Sequence, residues 1–160
     1  LPEDSRDEDE NLATKWAASR EGIPSALEAL AKKYPITAAA RINTFEEAAT
    51  AIENGYPVIN CSNRIPSGRK DKDGFAPASR GGGHCELFWA VRYGNRPGLL
   101  QQNSWSENFA ASGGKYPDDQ PAGSVWHDIA EVNRILAQGD SFSFAGPGGF
   151  KKRKINFRLI

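Results

Sequence analysis

Apolar and polar positions along this chain change period several times, and each change marks an element. Residues 11–20 (NLATKWAASR) suit a short helix with Asn11 as a candidate cap. Pro24 and Ser25 predict the start of a second helix. There Ser25-Ala26-Leu27-Glu28 has the form of a capping box, and Leu27, Leu30 and Ala31 share one face. Lys32 and Lys33 fall in its last turn, and Pro35 stops it. Residues 38–42 read as a short strand. Thr44 then caps a third helix, with Glu46 and Glu47 in its first turn and Phe45, Ala48, Ala49 and Ile52 as its buried stripe, ended by Asn54-Gly55. Residues 56–61 (YPVINC) predict a strand, 62–83 a long polar loop, 84–94 (HCELFWAVRYG) a second strand, and 99–105 (LLQQNSW) its returning partner after a GNRPG turn. After a further loop at 106–122, a helix is expected over residues 125–137. Ser124 is its cap, Ile129, Val132, Ile135 and Leu136 point inward, and Gly139 closes it. Residues 141–145 (SFSFA) alternate as a last strand. Helices first and an antiparallel sheet afterwards make the fold class α+β.

Composition narrows this picture. At 160 residues the chain is one domain or the larger part of one. Apolar residues make up 39%, and 20 basic residues balance 20 acidic ones, so neither nucleic acid nor a membrane surface is expected as a partner. No apolar run approaches the roughly 20 residues that span a bilayer, and no signal peptide opens the sequence. Residues 1–10 hold six acidic groups and read as a lead-in, 11–150 as the folded domain, and 151–160 as a basic tail beginning Lys151-Lys152-Arg153-Lys154. The chain starts at Leu1 and contains no Met, which leads us to expect a processed fragment or part of a longer chain. Its two cysteines, Cys61 and Cys85, are too few for a disulfide scaffold and fit no zinc spacing; no metal or cofactor is expected.

The candidate chemistry lies in the predicted hairpin. His84 follows a triple glycine at the start of one strand, and Asn103 ends the other, followed by Ser104-Trp105. Side chains opposed across antiparallel strands lie about 5 Å apart. An Asn oxygen could therefore accept the imidazole N–H and leave the other ring nitrogen free to activate a thiol, with the indole keeping water away.

These residues resemble the papain-like cysteine peptidases. The matching motifs are Gly83-His84, Tyr93-Gly94 and Asn103-Ser104-Trp105, preceded by a helix and by Gly55-Tyr56-Pro57-Val58 leading into a strand. The segment from Glu21-Gly22-Ile23-Pro24 to Tyr34-Pro35-Ile36 is similar to the one that follows the family's central helix, so the likeness runs in order over residues 20–145. It implies the His/Asn-bearing half of a papain-like fold: an antiparallel sheet or partial barrel with packed helices, in which His84 and Asn103 are catalytic and Trp105 shields them. The partner would be a peptide or protein substrate, or the segment or chain that carries the nucleophile. The family's nucleophilic Cys and the Gln before it have no counterpart here. The strand from His84 looks about two residues longer than the family's, which implies a bulge or an extended hairpin. The general run of motifs resembles phage-encoded or bacterial members.

Two other readings stay open: an inactive pseudo-peptidase with a binding or structural role, for example in a phage particle, and a Cys61-His84-Asn103 hydrolase in which Asn60-Cys61-Ser62 resembles the motif of the NlpC-type peptidases. In the papain-like reading Cys61 and Cys85 fall on adjacent strands as pocket-wall residues. Two small buried hydrophobes is the preferred interpretation of them, with a disulfide or a thiol pair as the alternative. Trp89 and Phe88 are expected in the core or at a lobe interface, His127 as structural, and Arg64, Arg69, Lys70, Lys72 and Arg80 as a solvated basic loop.

Overall fold

The computed structural model describes residues 22–109 and 120–146. The predicted helix at 11–20 and the basic tail at 151–160 lie outside them. The chain divides into two units, Leu1–Pro35 and Ile36–Ile160. In the first, α1 (Ser25–Ala31) forms where predicted, but its N-cap is Pro24 with no side-chain cap bond, so the capping box at Ser25 is not made. Leu27 and Leu30 are exposed and the helix buries no residue.

The second unit is an open sheet of six strands: β1 (Ala38–Arg41), β2 (Val58–Pro66), β3 (Ala78–Arg92), β4 (Gly98–Gln102), β5 (Ser124–Asp128) and β6 (Ser141–Ala145). They lie in the order β1-β6-β2-β3-β4-β5 and every neighbouring pair is antiparallel. With the helices, this makes the fold α+β. Helix α2 (Phe45–Glu53) starts as its sequence requires: the Thr44 side chain accepts from the Glu47 N–H, and Phe45, Ala48 and Ala49 are buried. Helix α3 (Ile129–Leu136) is capped by Asp128, whose side chain accepts from the Glu131 N–H. Both helices pack on one core with Val58, Phe88 and Leu99 of the sheet. No helix among the described residues is long and apolar enough to cross a membrane.

Two expectations fail for one reason, strand pairing. The segment 62–83 is not a single loop: β2 runs on to Pro66 and β3 begins at Ala78, which leaves Ser67–Pro77 as the connection. Residues 124–128 are a strand paired with β4, not the first turns of a helix, so the cap is Asp128 rather than Ser124. In both places a neighbouring strand satisfies the backbone that glycine content or apolar spacing assigned elsewhere.

β3 carries two irregularities. Between the pairs Ser62–His84 and Arg64–Arg80, residues 81–83 stand opposite Asn63 alone. The triple glycine is thus a bulge within a strand, and His84 sits inside β3 rather than at its start. Between Phe88–Gln101 and Ala90–Leu100, Trp89 is the extra residue. Of the two outcomes implied by the strand's length, a bulge or an extended hairpin, β3 here shows the bulge. It reverses the alternation, so that Phe88 and Val91 both join the helix-covered core. Trp89 itself is 41% exposed and is not a core residue.

Candidate functional site

The β3–β4 hairpin brings His84 and Asn103 together. Leu87 pairs with Gln102, so Asn103, one residue past β4, lies level with Glu86 and near His84. His84 Nε2 is 3.4 Å from Asn103 Oδ1. The same oxygen accepts the Trp105 N–H at 2.9 Å. A backbone N–H only donates, so that contact assigns the oxygen, and not the amide nitrogen, to the position facing the ring. Nε2 is then the nitrogen suited to carry the proton, and Nδ1 keeps a lone pair.

The turn through Ser104 also lays the Trp105 indole on the imidazole, with centroids 4.6 Å apart and planes at 26°. Phe109 supports the indole edge-on at 5.4 Å. Asn103 is buried, while the His84 side chain remains 18% accessible and Trp105 about half so. The ring is therefore held from one side and reachable from another. A groove of about 450 Å³ runs past it, lined by Cys61, Ser62, Asn63, Gly83, His84 and Cys85. A Cβ placed at Gly82 or Gly83 would meet nothing within 4 Å, which keeps this approach open.

Behind the pair lies a buried polar row drawn from four strands. His127 Nε2 on β5 donates to Gln101 Oε1 on β4 at 2.5 Å. Gln101 Nε2 donates to Glu86 Oε2 on β3 at 2.6 Å and to Asn60 Oδ1 on β2 at 3.3 Å. Asn60 Nδ2 donates to the Glu86 carbonyl at 3.2 Å. Burial pushes the Glu86 carboxyl up to about 8, and burial likewise holds His127 down to about 4. Glu86 Oε1 and Asn103 Nδ2 are buried without a hydrogen-bond partner, and Oε1 lies 4.0 Å from His84 Nε2. Sequence reasoning missed Glu86, Gln101 and Asn60. The available signal was alternation, since Glu86 stands two residues from His84 in a strand and so shares its face. His127, expected at the start of a helix, lies instead within β5 and is fully buried.

Cys61 and Cys85 face each other across β2 and β3 and form a disulfide. The preferred interpretation of two buried thiols is corrected: Cys61 is half-buried, Cys85 is exposed, and both sulfurs are bonded. A bonded Cys61 has no thiolate to offer, so the Cys61-His84-Asn103 arrangement has no nucleophile in this form. The basic loop is only partly solvated. Arg64 bonds Glu131 at 2.6 Å, and Lys70 is buried. Another cavity, about 540 Å³, lies at that end, and in its wall Arg96 pairs with Asp71 at 2.5 Å and Arg134 with Glu131 at 2.6 Å. Among the described residues no cluster of His, Cys, Asp and Glu could hold a metal ion. Compared with known proteins, the chain matches no family model and no curated protein.

Proposed function

We propose that this chain supplies the His–Asn pair of a papain-like thiol hydrolase, acting on a peptide or protein, with the nucleophilic Cys on a preceding segment or another chain. The observation that carries the reading is the imidazole Nε2 set against Asn103 Oδ1 beneath the Trp105 indole, beside an open groove. With Nε2–H directed at Asn103, Nδ1 takes the thiol proton as general base. It returns that proton to the leaving amine after the thiolate has attacked the carbonyl. Asn103 holds the tautomer and the ring direction through both steps. Trp105 keeps water from the hydrogen bond that does this.

The disulfide favours a single arrangement of the groove wall, because it ties β2 to β3 one residue from His84. It also occupies the chain's two sulfurs, so the chain by itself is inactive as a thiol hydrolase. The second reading, an inactive binding module, is favoured by that same lack of a free thiol.

A cysteine-directed electrophilic peptide probe tests the proposal. It is applied to the chain alone and to the protein or assembly that contains it. The chain alone should not be labelled. The larger species should be labelled at a cysteine outside residues 1–160, and His84→Ala should slow that labelling at least about 100-fold, the usual scale of a lost general base. Labelling that His84→Ala leaves unchanged would overturn the reading, and its absence from the larger species would favour the binding module.

A further inference from the structure

Glu86 is a buried carboxyl that the mechanism above does not use. Its side chain is 1% accessible, and its Oε1 has no hydrogen-bond partner yet lies 4.0 Å from His84 Nε2. The group cannot easily turn aside. Gln101 holds Oε2 at 2.6 Å, and Gln101 is itself fastened by His127 and Asn60. The arrangement follows from strand geometry: residues 84 and 86 project from the same face of β3, and the hairpin register sets Asn103 level with Glu86.

We propose that Glu86 is a second positioning residue for His84: its Oε1 and the Asn103 Oδ1 bracket ring Nε2 and together decide which ring nitrogen carries the proton. The inference rests on the reading of His84 as the base and deepens it. When Glu86 is ionised, both neighbours of Nε2 are acceptors. The proton is then fixed on Nε2, and Nδ1 is bare. When Glu86 is protonated, Oε2 is occupied by the Gln101 amide, so the acid proton sits on Oε1 and faces Nε2 as a donor. That donor competes with the Nε2–H and favours the other tautomer, in which the ring proton has exchanged through solvent onto Nδ1. In that tautomer the outward nitrogen has no lone pair with which to take a thiol proton.

The change of state falls on the alkaline side of neutrality, because burial raises Glu86 to about 8. Other groups around it do not supply the change. His127 on β5 is held neutral there, being lowered to about 4. The Arg64–Glu131 pair between β2 and α3 is mutually compensated at 2.6 Å, and the buried residues of α2 are Phe45, Ala48 and Ala49, none of them charged.

The chain has only two histidines, so ring nitrogen spectra of the labelled chain hold two signal sets, assigned with His84→Gln. The ratio of the Nε2–H to the Nδ1–H tautomer of His84 is measured between about pH 7 and pH 10, across the ionisation of Glu86. This ratio should rise about threefold in the wild type, equivalent to about 0.7 kcal/mol, and stay constant in Glu86→Gln. Superimposable curves for the two proteins would overturn the proposal. A second readout does not require Glu86→Gln to fold. The Glu86 carboxyl carbon is titrated in the wild type and in His84→Gln, and its midpoint should move by about half a pH unit or more when the imidazole is removed; an unchanged midpoint would also overturn it. Neither measurement involves a thiol or a substrate, so its failure is distinct from failure of the hydrolase reading.

Discussion

Asn103 uses one oxygen for two tasks, accepting from the Trp105 backbone and facing the His84 ring, and its burial makes both expensive to lose. Asn103→Ala should destabilise the fold by about 1–3 kcal/mol in urea melts, since a turn N–H loses its acceptor and a small void opens. Asn103→Asp keeps an acceptor oxygen and should recover most of that loss below the pH at which Glu86 ionises. Above it, two neighbouring carboxylates repel and the gain should shrink. The pair itself was legible in the sequence because both residues sit at landmarks, a triple glycine and an Asn-Ser-Trp run. Glu86 and Gln101 were not. A Glu or Gln in a strand ordinarily faces water, and only the packing of four strands shows that these two face the interior.

At the scale of elements, β3 governs the site. Its 15 residues are bent by two bulges, one of which opens the groove at the glycines while the other returns Val91 to the core. Gly98 opens β4 under a different demand, because a Cβ there would collide with the His127 carbonyl and press on Phe75. The disulfide joins β2 to β3 across a separation of 24 residues. Closing a loop of that size contributes about 3 kcal/mol through the unfolded chain. The variant combining Cys61→Ala and Cys85→Ala should therefore lose about 2–4 kcal/mol under oxidising conditions. The wild type in reductant should fall to a similar stability, both followed by denaturant melts. Apolar spacing was enough to place α2, β6 and all of α3 except its start, which lies at Ile129. It misassigned residues 124–128, because Val125 continues the spacing of Ile129 and Val132, whereas edge pairing with β4 claims the backbone instead.

For the whole molecule, two buried groups whose values burial shifts far, His127 and Glu86, shape stability against pH in opposite directions. His127 has its folded value lowered to about 4 from an ordinary 6.5. Its contribution is complete above about pH 6.5 and is lost as pH falls toward 4, a swing of about 3 kcal/mol. Glu86 has its folded value raised from 4.5 to about 8. Here the folded state holds the extra proton, so stability is greatest below about pH 4.5 and declines as pH rises to 8. Between about pH 4.5 and 6.5 the two slopes oppose, and above that range the Glu86 slope acts alone. Thermal melts should accordingly show a plateau in mildly acidic buffer and a decline toward pH 8, and Glu86→Gln should remove the decline while leaving the acid limb. Local chemistry along the chain by itself determined the α+β class, the caps and stripe of α2, the hairpin and the nearness of His84 to Asn103, since each depends on neighbours in sequence or on one turn. Only the tertiary structure decided the disulfide, the strand character of the glycine segment and the buried row from Asn60 to His127. Those depend on which strands lie side by side, and strand order is set by the burial of the whole sheet face rather than by any local preference.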